Sequence, residues 1–471
     1  MNNQRLELVA DFYEYTMSNG YLNKKMENQI AYFDVFFRKV PDEGGYAIIA
    51  GLEQIINYIK NLSFDEEDIN YLRKQNKFSE EFLNYLENFR FTGDVWAIPE
   101  GTVVFPNEPL ITVRAPIIQA QLLETMLLLT TNHQSLIATK TSRIVKEAQG
   151  RPVMEFGARR AHGINAAVEG ARAAIIGGAI GTSCTLSAKE FNVPASGTMA
   201  HSWVQSFDSE YEAFKTYAEI YPDDCTLLID TYNTIESGLP NAIKVFNEVL
   251  KPKGYKPKAV RLDSGDLAYL SKKVRKILDE AGYTECKICA TNSLDEYLIK
   301  SLIEQDAKID SFGVGENLIT AKSEPVFGGV YKLVGIEKDT KIIPKIKVSE
   351  NVVKVTNPGF KKVYRFYDNE SQKAIADVIA LSDEIIDERE YMIFDPQNPW
   401  KKKLIKDYTI RELQEKIFEN GKLIYKSPTL EEIAKKSKKE LNSIWEEVKR
   451  IENPHKYYVD LSKKLWILKN N

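Results

Sequence analysis

The chain has 471 residues, 43% hydrophobic and 28% charged, more than a single core needs, so two or three domains are expected. Its 63 Lys and Arg against 67 Asp and Glu leave a net charge of −4, which argues against a strongly basic nucleic-acid binder. The apolar content excludes a disordered chain, and the longest apolar stretch, near residues 171–181, falls short of the roughly 18 residues a membrane helix needs.

Residues 5–20 carry Leu6, Val9, Phe12 or Tyr13 and Thr16 at helical spacing. A strand is expected over 31–40, a helix over 51–62, and a polar helical stretch over 64–93. Short strands at 95–98 and 110–113 precede one or two long helices over 119–148. From Val153 onward, β-prone runs alternate with amphipathic helices. Strands are expected at 153–156, 226–232, 259–264, 287–292 and 311–315, with helices at 164–177, up to 250, up to 281 and at 294–304. Such alternation implies a parallel sheet, and polar or glycine residues at each strand's carboxyl end favour a β/α barrel enzyme. Beyond Gly328 strands are expected at 330–334, 345–348 and 363–367, then a Lys-rich helical tail from about Lys406. The runs 401–403 and 435–439 read as solvated helix faces, given their interspersed glutamates.

The amino end lacks a signal-peptide pattern, so a cytoplasmic protein is expected. Cys286 and Cys289 form a C-x-x-C, but no second pair and no nearby histidine complete a zinc tetrahedron. Core cysteines in a reducing compartment are the expectation. Among four histidines, His201 stands out in the small, polar run GTMAHS, where it suits a base, ligand or phosphoryl acceptor as well as a structural hydrogen bond. His133, His162 and His455 have weaker surroundings. Arg159 and Arg160 follow EFG at a strand end and suit a carboxylate or phosphate, or else a surface ion pair. Arg261, Asp263 and Asp266 sit in RLDSGD and together suit ribose hydroxyls, a magnesium shell and an anion. Gly313-Val314-Gly315 offers backbone N–H groups to a phosphate, and no P-loop or HExxH motif occurs.

The order DFYEYTM, EFGARRAHG, GTSCTLSAKEF, GTMAHS, LLIDTYNT, VRLDSGD and SFGVGENLIT…GGVYKLV closely resembles the nicotinate phosphoribosyltransferase family. The motifs extend through about Leu333, and the layout matches over nearly the whole chain. The resemblance implies an α/β fold of the type II phosphoribosyltransferases: an irregular β/α barrel, a mixed α/β domain built from both chain ends, and a helical C-terminal extension. The implied divisions are 1–130 for the N-terminal mixed domain, 131–335 for the barrel with the active site, and 336–471 for return strands plus the extension.

The resemblance also implies a reaction. Nicotinate and phosphoribosyl pyrophosphate give nicotinate mononucleotide and pyrophosphate, coupled to ATP hydrolysis, with Mg²⁺ bound mainly through the substrate pyrophosphate and no dedicated protein metal site. His201 then matches the family's phosphorylated histidine, with Asp230 orienting the imidazole. Tyr13, contributed from one subunit of a head-to-tail homodimer, and Phe156 match the aromatics on the two faces of the pyridine ring. Arg159 and Arg261 fall where the family binds the carboxylate and phosphate-rich groups, and Thr198 where it contacts nicotinate. Asp263 and Asp266 match positions near ribose and magnesium pyrophosphate, and Gly313, Gly315 and Thr320 match the 5′-phosphate loop.

Ser183 stands where nicotinamide enzymes carry an aspartate, and absence of that carboxylate favours the acid over the amide. Glu316 departs from the small or hydroxyl residue common there, and beside a phosphate it must point away or help hold magnesium. The competing readings are a nicotinamide or quinolinate enzyme, a non-catalytic nucleotide-binding homologue, and, weakest, an RNA- or membrane-surface protein using the Lys-rich tail.

Overall fold

Six of the seven residues of Ile30–Phe36 (IAYFDVF) are buried, as a strand covered on both faces must be. That strand is central in a seven-stranded antiparallel sheet of a computed structural model that describes residues 6–348, 355–387 and 389–470. The chain divides into two compact units, Met1–Leu136 with Val326–Asn471, and Ile137–Pro325.

In the first unit the sheet runs Lys341–Pro344, Val330–Lys338, Ile30–Phe36, Ile111–Pro116, Asp94–Ala97, Glu415–Glu419, Lys422–Leu423. Strands from the carboxyl half therefore flank strands from the amino half on both sides. Asp34 in the central strand is buried and satisfied by Lys361 Nζ at 2.9 Å and the Thr112 hydroxyl at 2.8 Å. A second sheet orders Tyr408–Glu412, Lys361–Asp368, Ala374–Leu381 and Val459–Leu461, the last pair parallel. Helices Leu430–Ser443 and Lys463–Asn470 form the carboxyl extension.

Three expectations shift here. The first helix is Phe12–Asn23, because Asp11 and Glu14 form a capping box that sets its start. The strand expected at 345–348 is instead Lys341–Pro344. The tail from Lys406 opens with strands rather than helix: Lys402–Lys406 pairs with Glu390–Phe394, and Glu415–Glu419 pairs with Lys422–Leu423. The last turn is Asn420-Gly421, both at positive φ (49° and 75°), the geometry that reverses a tight hairpin.

In the second unit a parallel sheet orders Val153–Glu155, Ser311–Val314, Lys287–Ala290, Ala259–Leu262 and Thr226–Leu228. Parallel bridges from Glu155 to Thr182 and from Thr182 to Ala195 extend it, consistent with a barrel-like domain. The helix Leu267–Glu280 buries Leu267, Val274 and Leu278 along one face, following the apolar period of its sequence. Cys286 and Cys289 are buried at the Lys287–Ala290 strand, where burial pushes the Cys286 thiol up to about 12 and raises Cys289. Such thiols are unreactive. Among the described residues no helix is long and apolar enough to cross a membrane.

Candidate active site

Parallel strands deliver their carboxyl ends to one rim, and the polar residues of the second unit gather there. Arg261, on the Ala259–Leu262 strand, is held by four hydrogen bonds. Its Nε donates to Thr291 Oγ1 at 3.0 Å, Nη1 to Thr198 Oγ1 at 3.1 Å and to the Met199 carbonyl at 3.2 Å, and Nη2 to Asp263 Oδ1 at 3.0 Å. Four of the five donors of the planar fork are thus engaged, and they fix the guanidinium before any ligand arrives. The Thr291 hydroxyl also donates to Asp263 Oδ1. Burial pushes the Asp263 carboxyl up, but Thr291, the Arg261 charge and His201 more than offset this and leave it below the usual carboxylate range.

His201 begins the helix His201–Gln205. Its Nδ1 lies 3.1 Å from Thr231 Oγ1, and its Nε2 lies 3.5 Å from Asp263 Oδ2. The imidazole is thus oriented by Thr231 and Asp263. Asp230, expected to orient the imidazole, has an Oδ2 that accepts the Asp263 N–H at 2.8 Å and the Ser264 hydroxyl at 2.6 Å, fixing the turn after the Ala259–Leu262 strand. Asp230 Oδ1 is buried without a hydrogen-bond partner. Asp266 caps the next helix through Tyr269 N at 3.0 Å and is otherwise exposed.

Phe156 is half-buried just beyond the Val153–Glu155 strand, and its N–H donates to the Val314 carbonyl at 2.8 Å. A Cβ on Gly313 would sit 2.5 Å from Phe156 Cδ2 and 2.8 Å from Thr291 Cγ2. Gly313 lies within the Ser311–Val314 strand, so its missing side chain makes room for the Phe156 ring. That is a different reason for this glycine than a phosphate loop supplies. Gly315 opens the one-turn helix Glu316–Ile319, and the Thr320 hydroxyl donates to the Glu316 carbonyl at 2.7 Å. Glu316 faces cations: Lys322 Nζ at 2.7 Å, which holds its carboxyl below the usual range, and Arg160 Nε at 3.6 Å. Arg159 and Ser183 are exposed.

Tyr13 belongs to the first unit, 43% exposed on the Phe12–Asn23 helix, with burial and the Glu124 carboxylate raising its phenol. Sequence reasoning passed over Thr231 and Thr291 as catalytic partners, and over Glu155 and Thr182 beneath Phe156. The available signal was a hydroxyl or carboxyl at or within a few residues of a strand's carboxyl end for Glu155, Thr231 and Thr291.

Oxygen ligands for a magnesium ion are present at this rim. Asp230 offers a buried, unpartnered carboxylate oxygen and Asp266 an exposed carboxylate, the hard donors Mg²⁺ takes one or two at a time beside substrate phosphates. Among the described residues no group of three or more His, Cys, Asp or Glu side chains could by itself hold a metal ion.

Three family descriptions match in chain order. Residues 8–132 match the nicotinate phosphoribosyltransferase N-terminal domain, 152–358 the nicotinate phosphoribosyltransferase family, and 360–469 the nicotinate phosphoribosyltransferase C-terminal domain. The chain is 46% identical to nicotinate phosphoribosyltransferase of Bacillus subtilis (strain 168) over 462 residues, 98% of this chain and 94% of the relative. It is 34% identical to the Caenorhabditis elegans enzyme of that name, covering 98% of this chain and 92% of the relative. The crystal structure of human nicotinic acid phosphoribosyltransferase superposes with a TM-score of 0.87 at 26% identity, over 98% of this chain and 99% of that one.

Proposed function

Since the chain belongs to the nicotinate phosphoribosyltransferase family, we propose that it joins nicotinate to phosphoribosyl pyrophosphate, giving nicotinate mononucleotide and pyrophosphate for NAD biosynthesis. ATP hydrolysis drives the step through a phosphohistidine at His201, and the enzyme works as a cytoplasmic homodimer to which Tyr13 contributes across the subunit boundary. The observation that carries this reading is the linked set His201, Asp263, Arg261, Thr198 and Thr291 at neighbouring strand ends.

The chemistry follows from charge. Departure of pyrophosphate from C1 leaves an oxocarbenium-like ribose, and the pyridine nitrogen attacks from the opposite face. Asp263, ionised and fixed, faces the cationic sugar, while cationic side chains face the leaving anion. Asp230 and Asp266 would help hold a magnesium ion beside the substrate phosphates, where it would supply neutralisation of the pyrophosphate charge. Arg261 keeps its place without reorganising, since four of its five donors are already engaged by Thr198, Thr291, Met199 and Asp263. Phe156 supplies one flat face for the ring, with Tyr13 on the other. Arg159 and Thr198 take the nicotinate carboxylate, and Ser183 leaves the slot free of a repelling carboxylate. The turn from Gly315 to Thr320 takes the 5′-phosphate, with Glu316 turned to Lys322 and Arg160. His201, its imidazole 38% exposed, accepts the γ-phosphoryl group of ATP and releases ADP, and the phosphorylated state binds phosphoribosyl pyrophosphate more tightly.

A product assay tests this. Purified enzyme, Mg²⁺ and phosphoribosyl pyrophosphate are offered nicotinate or nicotinamide, with and without ATP, for wild type and His201→Ala. The expected result is nicotinate mononucleotide, with ATP stimulation in wild type alone. Product from nicotinamide only would place the chain with amide-using enzymes, and no product from either would make it a binding homologue.

A further inference from the structure

We propose that Glu155 is a positioning residue that fixes Phe156 and residues 182–184 against one another, and so sets the slot that receives the pyridine ring. This rests on the reading that Phe156 and Ser183 face nicotinate.

Glu155 ends its strand fully buried. Its Oε1 accepts the N–H of Gly157, the residue after Phe156. Its Oε2 accepts the Thr182 hydroxyl at 2.6 Å, and Thr182 Oγ1 in turn accepts the Cys184 N–H at 2.9 Å. The backbone repeats the link: Glu155 N donates to the Gly181 carbonyl at 3.0 Å, and the Glu155 carbonyl accepts the Ser183 N–H at 2.8 Å. One side chain thereby closes the turn carrying Phe156 onto the segment carrying Ser183.

Both groups that reach the carboxyl are donors, so the position calls for a group that only accepts. A glutamine would turn its NH₂ toward either the Gly157 N–H or the Thr182 hydroxyl and leave one of them badly met. Burial raises the Glu155 carboxyl above its ordinary range and disfavours its charged form, so keeping a carboxyl in this interior carries a cost that leucine or methionine would avoid. The far side of the ring is already set, because Gly313 gives Phe156 its berth against the neighbouring strand. The Glu155–Thr182 link fixes the remaining freedom. Glu155 itself touches no reacting atom in this arrangement, and its effect passes through Phe156 and Ser183.

Steady-state kinetics with nicotinate and phosphoribosyl pyrophosphate varied separately test the inference, on wild type, Glu155→Ala, Glu155→Gln, Thr182→Val, Thr182→Ser and the Glu155→Ala/Thr182→Val double variant. Glu155→Ala is expected to raise the nicotinate KM about tenfold, with the phosphoribosyl pyrophosphate KM changing less than about threefold. Glu155→Gln and Thr182→Val should shift the nicotinate KM the same way by less, and Thr182→Ser should restore it. The double variant should be no worse than Glu155→Ala, since both changes break one link. If Glu155→Ala yields too little folded protein, Thr182→Val against Thr182→Ser carries the test. Unchanged nicotinate KM in the folded variants, both KM values rising together, or additive losses would overturn it. A wild type that makes no product from nicotinate would overturn the functional reading, and this inference with it.

Discussion

Two arginine–aspartate pairs in this protein share a chemistry and differ in surroundings. In the first unit, Arg365 is fully buried: Nε and Nη2 grip Asp377 at 2.8 and 2.6 Å, Nη1 reaches Glu440 at 3.2 Å, and Nη2 also meets the Val103 carbonyl at 2.9 Å. In the second unit, Arg261 and Asp263 keep side-chain exposures of 15% and 26%, beside an imidazole exposed to 38%. A buried pair spends all its charge inside the fold, where loss of one partner strands the other. A pair at a rim is held by neighbours and still has a face left for a ligand. The number of partners does not separate structural from functional charge here; access does.

The largest expected effect is on the buried side. Asp377→Ala should cost about 3–5 kcal/mol of stability, measured by denaturant unfolding, because buried Arg365 loses its bidentate partner and keeps only the single ion-pair contact to Glu440. The protein that remains folded should turn over normally. Asp263→Asn should do the opposite, lowering kcat/KM about a hundredfold while the unfolding midpoint moves little. Gly313→Ala, whose new Cβ meets the Phe156 ring, should raise the nicotinate KM about tenfold with a smaller effect on phosphoribosyl pyrophosphate. Equal stability losses for Asp377→Ala and Asp263→Asn would break the comparison.

pH sharpens it further. Burial first, and then Asp377 beside it, raise the Glu108 carboxyl well above 4.5, so it is protonated when folded where the unfolded chain has released its proton. Unfolding free energy contributed by this group therefore falls as pH rises above 4.5 toward its folded value. Asp263 has the reverse sign: its folded value lies below 3.8, so its contribution is present above 3.8 and lost as pH falls through the folded value. Glu108→Gln should flatten the first trend at little cost near neutrality, and Asp263→Asn should flatten only the acid limb. The smallest effect belongs to Glu316→Gln, an exposed pair with Lys322, expected to change KM values less than about threefold.

Much of the second unit was legible in the sequence, because short β-prone runs alternating with one-sided helices have few other solutions. In the carboxyl part of the first unit the strands at 330–334 and 363–367 were legible, and those after Lys401 were not. Lysines spread through 401–426 mask the strand alternation, and the deciding cue was a single Asn420-Gly421 turn. At the rim, His201, Arg261 and Asp263 stood in motifs that name their neighbourhood, and the structure brings them together. Thr231 went unread beside Asp230 because the two are adjacent just beyond the Thr226–Leu228 strand, and sequence alone does not say which of two neighbouring side chains meets the imidazole. Glu155 and Thr182 went unread because a polar residue at a strand end looks the same in sequence whether it turns outward or closes a loop beneath an aromatic ring.

The most direct test of where this chain does its chemistry is a crystal structure with nicotinate mononucleotide bound. The pyridine ring should lie on Phe156, the ribose beside Asp263, and the phosphate on the turn from Gly315 to Thr320. A ligand seated away from those strand ends would contradict the assignment of the rim as the active site.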